Sequence, residues 1–168
     1  AIGMTLGLLG DLFMAQVIPV GQHVLAGMGA FGLGHVAYIA AFLLLGNQRG
    51  LDAPGPRWLA WGVWILIGIV GWYFAVYRGQ SPTMLHWAAL PYALLLASTA
   101  GFASGLGIQQ ARFWPVALGA ALFLLSDLIL AARLFNGLSF PLVGDFIWLT
   151  YGPGQALMVC GMAWQMDG

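Results

Sequence analysis

The chain of 168 residues has no lysine and no glutamate; five Arg and five Asp are its only formally charged side chains, and they cancel. Charged residues make up 6% of the sequence, against about 25% in a soluble domain. So few cannot clothe a water-facing surface. Basic residues form no patch, which argues against nucleic acid as a partner. There is one cysteine, Cys160, in an apolar stretch. It excludes an intrachain disulfide and leaves a Cys-based zinc site without ligands. No basic stretch precedes the first apolar run, so no signal peptide is read. The sequence does not open on Met, and further native residues, including whole helices, are expected upstream.

What the chain has instead is apolar length: 61% of residues are hydrophobic. A membrane-spanning helix needs about 20 mostly apolar residues. Six segments meet that need: Ile2–Val20, Val24–Leu45, Trp58–Tyr77, Leu85–Leu106, Phe113–Phe135 and Phe146–Trp164. Their unbroken runs differ from the roughly 10-residue alternating segments of a membrane barrel. The expected fold is therefore all-α: a polytopic membrane helix bundle with six transmembrane helices in one domain over residues 1–168. The links are short, so consecutive helices should run antiparallel. Gly46–Arg57, with two Pro and three Gly, is the clearest loop. Arg49, Arg57 and Arg112 fall on one side of the membrane, Arg78 and Arg133 on the other. The positive-inside rule then puts both ends of the chain in the cytoplasm, which suits a bacterial inner membrane.

Trp58, Trp61, Trp72, Trp87, Trp114 and Trp164 lie toward segment ends, as in aromatic belts at the interfaces. Small residues recur at fourfold spacing: Gly3, Gly7 and Ala15 around Asp11; Ala26, Ala30 and Gly34; Ala93, Ala97, Gly101 and Gly105. Such stripes let helix backbones approach closely. The first stripe places Asp11 on a packing face.

Two aspartates inside apolar segments carry the most information: Asp11 in LLGDLFMA and Asp127 in LFLLSDLILA. A carboxylate in hydrocarbon is penalised by about 3 kcal/mol on insertion scales. Such residues therefore face a partner or a watered cavity. Both segments run in the same direction, so the two depths can match. Two carboxyls close together at low dielectric cannot both be charged cheaply, which gives one neutral acid and one carboxylate, a pairing suited to acid–base work. A purely structural polar pair that glues helices together is the other interpretation.

Further polar groups sit at helical spacing. His35 and Tyr38, three apart, share a face of the second segment. A buried His can relay protons or simply bond a neighbouring helix. Tyr151 and Gln155 are four apart on the last segment, with Pro153 between them to bend the helix. Pro91 and Tyr92 sit early in the fourth segment, where a bend is again expected. His23 and His86, near helix ends, are expected at the surface. Spacing typical of a zinc site, such as HExxH, is absent. Asp145 is expected to cap a helix N-terminus, and Asp52 and Asp167 to be solvated. Ser126 has no GxSxG setting.

LLGDLFM, GMGAFGLGHVAYIAAF, GAALFLLSDLILA and YGPGQALMVCG occur in that order. With these elements the chain resembles the YhhN-like lysoplasmalogenase family over essentially its whole length. The resemblance implies a bundle of about eight membrane helices, of which this chain supplies the last six. The first two, with a Lys-Pro element, have no counterpart here. It implies hydrolysis of the vinyl ether bond of lysoplasmalogens, without an organic cofactor or metal, on a lysophospholipid drawn from the membrane. Asp11 and Asp127 match the family's proposed catalytic pair. His35, Tyr38, Tyr92, Tyr151 and Gln155 would then bind or orient the substrate, the water or the pair. The rival reading from the residues alone is a proton-coupled transporter of small solutes. Inverted repeats, which would favour it, are not found.

Overall fold

A computed structural model describes residues 1–166, and among them there are six α-helices and no strand. They are α1 (Ile2–Met14), α2 (His23–Gln48), α3 (Pro54–Trp72), α4 (Met84–Gln109), α5 (Trp114–Asn136) and α6 (Val143–Met166). The all-α expectation holds, and among the described residues four stretches are long and apolar enough to cross a membrane: His23–Gln48, Pro54–Tyr77, Met84–Gln109 and Ala111–Asn136. The expectation of six spans is corrected at both ends of the chain. α1 stops at Met14 rather than reaching Val20, because Gln16 turns into the left-handed region at φ 58°. Thirteen residues rise about 20 Å, short of a bilayer core of about 30 Å. α6 is 24 residues long, but Asp145, Thr150, Tyr151, Gln155 and Gln165 interrupt its apolar character.

The outer surface is apolar. Leu44, Leu59, Val63, Leu66, Leu118 and Leu125 are all exposed on helix flanks, as lipid-facing residues should be. The protein is an integral membrane protein.

Polar contacts mark the two ends of the bundle. At one end the Arg49 guanidinium donates to the Gln165 carbonyl, and Gln165 Nε2 donates to the Arg112 carbonyl at 3.1 Å. The Ala53 amide donates to Gln109 Oε1 at 3.0 Å. Arg49, Arg57 and Arg112 thus share this end, as their spacing predicts. At the other end α3 finishes in a π-turn, Tyr73–Tyr77. Asn136 Nδ2 donates to the Phe74 and Ala75 carbonyls at 3.1 and 2.8 Å, tying that turn to the end of α5. α5 closes on Gly137, whose φ of 65° suits a residue without Cβ, and the Leu138 amide returns to the Ala132 carbonyl.

The small-residue stripes do what their spacing predicts. A Cβ on Gly101 would lie 2.7 Å from Trp61 Cα, and one on Gly34 3.0 Å from the Gly3 carbonyl oxygen; outside those stripes, one on Gly119 would lie 2.7 Å from the Gly154 carbonyl oxygen. α3 against α4 and α5 against α6 therefore meet backbone to backbone. Trp61 and Trp64 donate to Ser98 and Ser104 at 3.1 and 2.9 Å, adding hydrogen bonds to the α3–α4 seam.

Several local expectations change. Trp72 is buried and donates to the His86 carbonyl at 3.0 Å rather than joining an interfacial belt. His86 is not a surface residue: its Nδ1 accepts the Thr83 amide at 3.1 Å, closing the start of α4, and its ring packs edge-on to Phe135. His23 is half-buried. Asp145 lies inside the first turn of α6, where a negative charge suits the helix dipole, rather than capping it. α4 and α6 continue through Pro91 and Pro153. Asp52 is exposed, and Asp167 lies outside the described residues.

Candidate active site

Five elements converge on Asp11 and Asp127. α1 delivers Asp11 from its last turns, beside a buried face of Gly3, Gly7 and Gly10. Those glycines are where α1 presses on its neighbours: Gly3 against Tyr38, Gly7 against Gln155, Gly10 against Phe31. α5 delivers Asp127 just beyond the packed segment that ends at Phe123, Leu124 and Ser126. Each carboxyl has a phenol. Tyr151 of α6 donates to Asp11 Oδ2 at 2.7 Å, and Tyr92 of α4 donates to Asp127 Oδ2. Among the described residues, the hydrogen bond of each carboxyl goes to a residue of another helix. Each bond ties two helices together and orients one carboxyl.

Asp11 and Asp127 line one cavity of about 330 Å³, together with Phe31, Ser126, Arg133, Trp148 and Tyr151. Its wall follows helical spacing. On α5, Ser126, Leu130 and Arg133 fall at i, i+4 and i+7, with Asp127 beside them; on α6, Gly144, Trp148 and Tyr151 repeat the pattern. Phe31 sets its edge against Tyr151 and Phe123, at 6.2 and 6.0 Å between ring centroids. Ser126 donates to the Ile147 carbonyl at 3.1 Å, so its hydroxyl holds α5 to α6. On the far side of the Asp11–Tyr151 bond a second hollow, about 470 Å³, is lined by Met4, Thr5, Leu8 and Gln155 as well as by that pair.

The remaining candidates divide. Tyr38 donates to Gln155 Oε1 at 3.1 Å, one turn along α6 from Tyr151. This second Tyr-based bond braces α2 against α6, and Gln155 reaches the outer hollow. His35 is near Tyr38, with 5.9 Å between rings, but its bonding turns elsewhere. Thr99 gives its hydroxyl proton to the Leu95 carbonyl at 3.0 Å. Its oxygen must then accept from His35 Nδ1, 2.9 Å away. That fixes the tautomer and leaves Nε2 as a buried acceptor with no partner among the described residues. The ring packs on Phe123 at 4.5 Å. His35 is thus held in the α2–α4 seam and does not line the cavity of the two aspartates.

Sequence reasoning missed Trp148 and used Arg133 only to orient the chain. Trp148 precedes Tyr151 by three residues, and its ring stands edge-on to that phenol at 5.7 Å. The same i, i+3 spacing that linked His35 to Tyr38 could have found it. Arg133 follows Asp127 by six residues and was legible only once the cavity was known to open toward the end of α5.

A membrane helix bundle with two phenol-bound carboxyls on one internal cavity is the class of protein these features define. Within it, a family model described as the YhhN family matches residues 1–162, and the chain belongs to that family. No curated protein and no solved structure matches the chain.

Proposed function

We propose that the protein is an intramembrane hydrolase of the lysoplasmalogenase type, cleaving the vinyl ether bond of a single-chain ether phospholipid. The observation that carries this reading is the shared cavity of Asp11 and Asp127, each carboxyl held by a tyrosine from another helix. Membership of the YhhN family supports it.

Vinyl ether hydrolysis begins with a proton delivered to the outer alkene carbon. The C=C π pair forms the new C–H bond, and the positive charge is shared between the inner carbon and the ether oxygen. Water adds to that carbon and loses a proton. The hemiacetal then collapses, its C–O bond to glycerol breaking as the hydroxyl proton leaves and the glycerol oxygen gains one. The balance is one water consumed and one aldehyde and one alcohol released. Two carboxyl groups solve the related oxocarbenium problem in glycosidases, one as acid and one as stabilising carboxylate or base. Asp11 and Asp127 divide these roles here. The Tyr92 and Tyr151 bonds each occupy an Oδ2, leaving Oδ1 of each carboxyl for the reacting proton. Tyr38 and Gln155 brace the α6 face that carries Tyr151.

The deciding experiment is product analysis on the purified protein in detergent or nanodiscs, with a 1-alkenyl lysophospholipid and the matched 1-acyl lysophospholipid. Fatty aldehyde from the first and no fatty acid from the second is the expected result. No aldehyde, or equal cleavage of both, rejects the vinyl ether assignment. Cleavage of the acyl lipid alone moves the protein to another lysolipid substrate. Solute flux through proteoliposomes without any product would favour a transporter.

A further inference from the structure

We infer that Arg133 is the head-group anchor of the site, binding the phosphate of the single-chain lipid and thereby setting which bond meets the two aspartates. This deepens the hydrolase reading and rests on it. Arg133 is the one cation among the described residues lining the cavity that Asp11 and Asp127 share. It stands in the last turn of α5 and is exposed. A helix rise of about 1.5 Å per residue places its Cα roughly 9 Å beyond that of Asp127. In an extended glycerophospholipid, five bonds separate phosphorus from the 1-position ether oxygen. At about 1.5 Å per bond they span roughly 6 Å along the chain direction. The two lengths agree to about 3 Å, and the long Arg133 side chain leans toward the helix N-terminus and so toward Asp127, which brings the ether oxygen of a lipid bound at the guanidinium near the depth of the carboxyls.

Charge decides the direction of binding. The other formal charges in this wall are carboxyls, which repel a phosphate, so the anionic group has one favourable place. A guanidinium suits it, since its fork of N–H donors matches phosphate oxygens in pairs. The opposite wall keeps that place open. Gly144 faces Arg133, with 3.8 Å between Nη1 and the position a Cβ would take. A larger residue at 144 would fill the approach to the guanidinium. A simpler role for Arg133, offsetting the dipole at the end of α5, would leave binding indifferent to the ligand's phosphate.

The test compares ligands with and without phosphate. Wild type, R133Q and R133K are titrated in nanodiscs with a non-hydrolysable 1-alkyl lysophospholipid and with the matched 1-alkylglycerol. Competition by glycerol 3-phosphate forms a third arm. The expected result is that R133Q weakens the phosphate-bearing lipid at least about tenfold more than the alkylglycerol, one decade in Kd, with R133K recovering part of the loss. On the matched alkenyl substrates the same change should appear in KM rather than kcat. Equal loss for both ligands, or no loss for either, overturns the anchor. Competition by glycerol 3-phosphate as strong as by the lipid overturns the lipid assignment in favour of a small phosphate ester. Phosphate-selective binding without aldehyde release would uphold the anchor while rejecting vinyl ether hydrolysis, so the two failures are separable.

Discussion

The two halves of α5 live in different surroundings. From Val116 to Leu124 one face of the helix is embedded: Val116 and Phe123 are fully buried, as are Ala97, Ala100 and Ala103 on the facing α4. From Asp127 to Arg133 it lines a cavity, and its residues are half-buried or exposed. The first half has no polar side chain, while the second places a carboxyl and a guanidinium about two turns apart. The difference teaches how a membrane bundle with little polar surface makes room for chemistry. It compacts one end with Ala and Gly against aromatic side chains, and spends the packing gained there on holding an open, polar end. Stability and chemistry are thus separated along single helices, and substitutions should sort by which end they touch.

The largest expected effect lies at the open end. D11N and D127N each keep the shape of a carboxyl but supply neither proton nor negative charge. Turnover of the alkenyl lysophospholipid should fall by about 10²–10⁴-fold in each, the range lost with a general acid or base. Thermal unfolding should change little. Full turnover in both purified variants would break the comparison, since the open end would then be structural as well.

The phenols sharpen it. Y92F removes the donor to Asp127, whose hollow beyond the shared cavity is a narrow apolar one of about 60 Å³, and Y151F removes the donor to Asp11, whose second hollow holds about 470 Å³. A hydrogen bond to a charged group is worth about 1.5–3 kcal/mol, and more is lost where the partner left behind has no access to water. Both variants should lose turnover, and Y92F should also unfold at lower temperature than Y151F. The reverse order in melting would mean that Asp127, not Asp11, is the better watered of the two.

At the packed end, G101A should act on stability alone. The added Cβ would meet Trp61 Cα, which is backbone and cannot rotate away. Overpacking of this kind costs about 1–3 kcal/mol. A lowered melting temperature with unchanged turnover per folded molecule is expected. A fall in turnover at unchanged stability would show that the two ends communicate.

How far the sequence disclosed this arrangement depends on the length scale of the signal. Apolar length placed α2 to α6 within a few residues, because the bilayer thickness imposes it. α1 was overextended since Ala15 to Val20 are mostly apolar; Pro19, which disfavours helix at the residue before it, was passed over, and the left-handed Gln16 marks the stop. Asp11 and Asp127 stood out because a carboxyl in an apolar run is costly wherever it points. Their tyrosines were named as orienting groups through the family resemblance, but which carboxyl each would hold was not legible, because Tyr is equally at home in packing. Pairing Tyr92 with Asp127 across 35 residues, and Tyr151 with Asp11 across 140, needs the tertiary arrangement. His86 misled for the opposite reason: a polar residue near a helix end usually meets water, and here it turns back to close its own helix.

The smallest expected effect separates two roles that sequence spacing left together. His35 shares a helix face with Tyr38 and could serve the cavity, yet its bond runs to Thr99 in the packed half. T99V should strand a buried ring N–H and cost about 1–3 kcal/mol. Replacing both partners with apolar groups of similar shape, H35F with T99V, removes the donor and the acceptor together and should be close to neutral. If His35 belongs to the packed half, the double variant melts near wild type and still turns over substrate. If it serves the aspartates, stability recovers in the double variant but turnover does not. Melting and turnover measured on the same three proteins decide on which side of the α5 divide this histidine lies.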